Sequence, residues 1–72
     1  MENKNELYTG VVEAQVGGGF YQVVVDYNGV ERTLRCYRSG KMNKNRIRVI
    51  VADKVKVWWE YPSTVGRIVE RL

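Results

Sequence analysis

The chain has no histidine, one cysteine, one proline, and no carboxylate between Glu31 and Asp53. Each absence removes a class of chemistry. Without histidine, the most frequent general base and the most frequent metal ligand are both missing. A lone Cys36 allows neither an internal disulfide nor a Cys/His zinc site, and it fits a reducing compartment. On a strand it reads as a small buried hydrophobe. The carboxylates Glu13, Asp26, Glu31, Asp53, Glu60 and Glu70 are scattered singly, so no acid/base pair stands out. Gly17-Gly18-Gly19 lacks the Lys-Ser/Thr and the helix that a phosphate loop needs. No enzyme, no metal and no cofactor is expected. No apolar run is long enough to span a membrane, and the polar stretch 1–6 has no apolar region behind it, so a signal peptide is not expected. It reads as a flexible tail on a cytoplasmic protein.

What remains is strand-rich. With 72 residues and 44% hydrophobic content, the chain reads as a single domain, 1–72, near the lower limit for a self-sufficient core. Val12, Ala14 and Val16 alternate with Glu13 and Gln15, a period of two that predicts a half-buried strand over 7–16. The three glycines form a flexible hairpin tip. Residues 20–26 follow as a strand with Tyr21, Val23 and Val25 inward. Asn28-Gly29 marks a type I′ turn, since both residues tolerate positive φ. The return strand 31–37 sets Leu34 and Cys36 on one face. Ser39 is a candidate N-cap for one short helical turn, followed by a mobile loop. An extended pattern resumes over 46–51. Val55, Val57 and Trp59 alternate with Lys54, Lys56 and Trp58, so Trp59 is core and Trp58 points outward. Residues 61–64 make a loop at Pro62, and 66–71 is a fifth strand with Ile68 inward. Five strands with a helical turn between the third and fourth predict an all-β OB-fold barrel, monomeric and closed, which hides the strand edges.

The acid-free window is filled with bases. Arg32, Arg35, Arg38, Lys41, Lys44, Arg46 and Arg48 are seven of the chain's twelve basic residues. Like charges gathered in one third of a small domain repel, so a polyanionic partner is the natural reason, and nucleic acid leads. Loop bases such as Lys41, Lys44, Arg46 and Arg48 neutralise phosphates and release counterions. Tyr8, Tyr21, Tyr27, Tyr37, Trp58 and Tyr61 are candidate base-stacking planes, with Trp58, Tyr61 and Tyr37 foremost. Met42 either pins the helical turn to the barrel or projects as a soft contact to RNA.

The run Ser39-Gly40-Lys41-Met42-Asn43-Lys44-Asn45 is where the chain resembles bacterial translation initiation factor one. Gly10-Val11-Val12-Glu13, Asn28-Gly29, Ile47-Arg48-Val49, Asp53-Lys54-Val55-Lys56-Val57 and Gly66-Arg67-Ile68-Val69 extend the likeness in order. The resemblance implies a single S1-like OB-fold domain that binds the aminoacyl-tRNA site of the small ribosomal subunit. It further implies contacts to decoding-region rRNA and a neighbouring ribosomal protein, and cooperation with initiation factors two and three. Carried over by position, the implied contacts are Lys41, Met42, Lys44 and Arg48, with Arg67 and Arg71 on or near the fifth strand. The family often has arginine where Asn43 stands and glycine where Ala52 stands, and the Trp58-Trp59 pair is unusual for it.

Two other functions compete. A cold-shock-type single-stranded RNA chaperone uses a similar barrel, but its Lys-Gly-Phe-Gly-Phe-Ile-like motif is absent. A small protein-interaction barrel would instead turn the basic patch toward an acidic protein surface.

Overall fold

The computed structural model describes residues 7–72, and the tail expected over 1–6 lies outside the described residues. Five strands form: β1 (Leu7–Val16), β2 (Phe20–Tyr27), β3 (Val30–Arg38), β4 (Lys54–Trp58) and β5 (Val65–Arg71), with one helix, α1 (Gly40–Lys44), between β3 and β4. They close into a barrel in the order β1-β2-β3-β5-β4, completed by pairing of β4 with β1. β3 and β5 run parallel; the other seams are antiparallel. This is the OB-fold arrangement that the strand pattern predicts.

Turn chemistry sets the register. Asn28 and Gly29 both take positive φ, 54° and 82°, as a type I′ turn requires, and Asp26 Oδ1 accepts from the Gly29 amide at 2.8 Å. With Tyr27 opposite Val30, every later pair along β2 and β3 follows, down to Phe20 opposite Tyr37. The Gly17–Gly19 tip closes as a tight turn with Gly18 and Gly19 at positive φ, 77° and 82°.

Strand alternation then decides the core. Val12, Tyr21, Val23, Val25, Leu34, Cys36, Val55, Val57, Trp59 and Ile68 are buried, as their parity predicts. Met42 and Val49 join them from outside the strands. Trp59 closes one end of the barrel edge-on to Tyr8 and Tyr27, and Tyr61 stacks on Tyr27 with centroids 4.9 Å apart and planes 5° from parallel. The Trp59 indole N–H donates to the Ser63 carbonyl, which satisfies the buried polar handle.

Barrel closure crowds the middle of β1. Gly10 faces Val25 on one side and Val55 on the other. A Cβ there would lie 2.7 Å from Val23 Cγ1 and 2.8 Å from the Val24 carbonyl oxygen. A register shift between Val12 and Ala14 bends the strand just beyond this point.

The segment 46–51 differs from its extended reading. It forms no strand: Arg46 has φ 56°, Val49 drops into the core, and a turn follows with Ala52 at φ 80°. Asp53 Oδ2 accepts from the Ile50 amide at 2.9 Å and stabilises that turn. Ala52 therefore holds the left-handed conformation that glycine adopts without cost, a strain of about 1 kcal/mol.

Three outcomes test this packing. Gly10→Ala should lower stability by about 1–3 kcal/mol, read as an earlier urea midpoint, because the clash includes a backbone carbonyl. Burial pushes the Cys36 thiol up to about 12, opposed in part by a backbone hydrogen bond to Gly66. The folded protein should thus resist iodoacetamide at pH 8, and labelling should track unfolding. The raised value also makes the thiol's contribution to stability full below pH 9 and lost as pH climbs toward 12, a decline that Cys36→Ala should soften.

Candidate nucleic-acid interface

A five-residue helix cannot hold itself together in water, so α1 depends on its ends and on one anchor. At the start, Ser39 Oγ accepts from the Met42 amide at 3.2 Å, the predicted N-cap. At the end, the Ile47 amide donates to the Met42 carbonyl at 3.0 Å and the Arg46 amide to the Asn43 carbonyl at 3.1 Å. This pair of bonds around a left-handed residue is a Schellman cap, with Arg46 in the position that usually holds glycine. Half-buried Ile47 packs against the core cluster that contains Met42, the apolar partnership that such caps carry.

Met42 settles the orientation of the helix. Met42 is 1% exposed, so it pins α1 to the barrel and presents almost no surface for the RNA contact that the resemblance implies. Burying it stabilises the fold by about 1.5–3 kcal/mol, more than any single exposed contact would give. With Met42 inward, Lys41 and Lys44, three positions apart, turn to solvent together.

Around the helix the other bases take different parts. Arg38, from the end of β3, donates through Nη1 to the Ile47 carbonyl at 3.0 Å, so it is a structural tether. Arg71 reaches from β5 to the Arg48 carbonyl at 3.4 Å. Lys41 and Arg71 line one shallow cleft with Met42, Asn45, Ile47, Val69 and Glu70. The structure therefore brings Lys41, Lys44, Arg46, Arg48 and Arg71 into one exposed neighbourhood, on an α1 segment moored to β5 by the Ser39 amide on the Ile68 carbonyl at 2.9 Å.

Arg67 does not join them. It stands on the outer face of β5, paired with Trp58 on β4 and Tyr37 on β3, with its guanidinium 5.4 Å from the Trp58 ring centroid. Trp58 and Tyr37 are both exposed, as expected, at 40% and 41%. Tyr61, also exposed, belongs to the aromatic end of the barrel, where Arg32 lies 5.2 Å above its ring. Tyr21, Tyr27 and Tyr8 are spent in packing: the first is buried and the other two are half-buried against the core. Sequence reading missed Phe20 and placed Arg35 only in the basic run; both extend the Arg67 row: Phe20 meets Tyr37 edge-on at 6.3 Å, and Arg35 sits 5.5 Å from the Phe20 centroid. The signal was there, because a two-residue Asn-Gly turn fixes Phe20 opposite Tyr37.

Among the described residues, no group of three or more histidines, cysteines or carboxylates could hold a metal ion. No helix there is long and apolar enough to cross a membrane.

The chain matches no family model. It is 33% identical over 73 residues to the chloroplastic translation initiation factor IF-1 of Antirrhinum majus, across 100% of this chain and 91% of that protein. The corresponding factor of Illicium oligandrum is 30% identical with the same coverage. Among solved structures, the same initiation factor from the Wolbachia endosymbiont strain TRS of Brugia malayi aligns with a TM-score of 0.65 and 32% identity. That alignment covers 99% of this chain and 84% of the other. YloQ, a circularly permuted GTPase, aligns over 100% of this chain but 25% of its own, with a TM-score of 0.75 and 22% identity, and shares the barrel alone. Full-length likeness to proteins of one name, on the same closed barrel, makes this chain a member of the translation initiation factor IF-1 family, which is not enzymatic.

Proposed function

We propose that this protein binds the small ribosomal subunit at the aminoacyl-tRNA site through rRNA contacts and assists initiation factors two and three. The observation that carries the reading is α1: a helix capped at both ends and anchored by Met42, presenting Lys41, Lys44 and Arg46 outward with Arg48 and Arg71 beside it. Cations on a capped helix suit a folded RNA surface, because the caps already fix the backbone that carries them. The protein acts as a monomer in the cytoplasm, and a neighbouring ribosomal protein completes its site. Membership of the IF-1 family supports the role in initiation.

Sedimentation with purified small subunits, with and without aminoacyl-site ligands, tests this directly. The protein should pellet with the subunits and be displaced by those ligands; pelleting indifferent to them would refute the site.

The charges predict the salt response. Replacing Lys41, Lys44 or Arg48 with alanine should weaken binding and flatten the plot of log affinity against log salt by roughly 0.7–0.9 per contact. Lys56→Ala, on β4, should leave the slope unchanged.

Arg46 offers a sharper test, because its backbone is strained. Arg46→Gly should stabilise the free protein by about 1 kcal/mol, since glycine takes φ 56° freely. The same variant should bind subunits more weakly with a flatter salt slope. A thermal melt and a binding titration moving in opposite directions would assign the strain to function.

A further inference from the structure

A row of side chains crosses the outside of the barrel on four successive strands: Trp58 on β4, Arg67 on β5, Tyr37 on β3 and Phe20 on β2. Each is the direct cross-strand neighbour of the next. Arg67 lies over Trp58, Phe20 meets Tyr37 edge-on, and Arg35 lies against Phe20 from two positions earlier on β3. The row thus gathers three aromatic rings and two guanidinium groups, and no carboxylate interrupts it. An exposed indole and an exposed phenol in one row have no core to serve.

We propose that this row is a second RNA site, distinct from the α1 cluster, which holds a short unpaired strand by stacking. Every base has a π-face, so rings arrayed at strand spacing bind single strands without reading sequence. Three inter-strand spacings extend about 14 Å, which accommodates about two or three splayed bases. Arg67 and Arg35 serve twice, since a guanidinium can stack on a base or turn to its phosphate. A duplex is excluded, because its bases already stack on one another. An acidic peptide is the poorer match: it would pair with the two arginines and leave the three rings unused.

The test uses heptaribonucleotides of uridine and of adenine, read by intrinsic tryptophan fluorescence over a salt series. Trp59 is buried and gives a constant background, so quenching reports Trp58. The wild-type protein should bind the single strands with quenching and should not bind a heptamer duplex at this surface. Trp58→Ala and Tyr37→Ala should each weaken binding roughly 5- to 150-fold without changing the salt slope, whereas Trp58→Phe and Tyr37→Phe keep most of it. Binding of the variants that lack Trp58 is read by fluorescence anisotropy of end-labelled RNA. Both side chains are exposed, so the variants should melt as the wild type does. Wild-type affinity in the Trp58→Ala/Tyr37→Ala double variant would overturn the proposal. So would equal quenching by the duplex, or a Trp58 response to an acidic peptide in place of RNA. Lys41→Ala/Lys44→Ala separates the two sites: it should lose subunit binding in sedimentation and retain the quench. Failure of the quench with sedimentation intact would remove the row and leave the ribosomal reading standing.

Discussion

Closure of the sheet rests on one strand serving two neighbours at once. β1 gives one edge to β2 and the other to β4, and at Gly10 both pairings occur on the same residue. The backbones and valine side chains come so near there that hydrogen is the largest tolerated side chain. Everything outside the barrel inherits this geometry. The curvature that closes the sheet places β5 between β3 and β4, and β5 in turn sets the floor on which α1 sits. The surface chemistry therefore rests on the closed barrel: buried Met42 fixes which way α1 turns its lysines, and β3 and β5 hold the seat on which it docks.

Much of this was legible in the residues themselves. Period-two alternation named Tyr21, Val23, Val25, Val55, Val57, Trp59 and Ile68 as inward, and burial follows that list. Strand parity is a local property, dictated by the pleat, so it survives in the sequence. Asn28-Gly29 carried long-range information as well, because a two-residue turn fixes the register of both strands to their far ends.

What escaped sequence reading depends on contacts between segments. Met42 sits among lysines and asparagines, and its neighbours describe a solvated run; only the docking of α1 on β3 and β5 shows which way it faces. Arg38 looked like one more cation, yet it grips the Ile47 carbonyl. Arg67 lay within the same family-derived contact set as Arg71, and the parallel β3–β5 seam is what separates them, bringing Arg67 beside Tyr37. Ala52 and Arg46 hold positive φ with side chains that disfavour it, a feature no propensity scale would assign to them.

The mooring of α1 to β5 ties the placement of its lysines to the state of the barrel. The Ser39 amide on the Ile68 carbonyl and the Arg71 guanidinium on the Arg48 carbonyl both end on β5 or begin from it. A helix this short has no independent existence, so it persists only while that strand keeps its place. The basic surface is then an indicator of integrity. A copy whose last seam has opened loses this arrangement of its charges along with its fold.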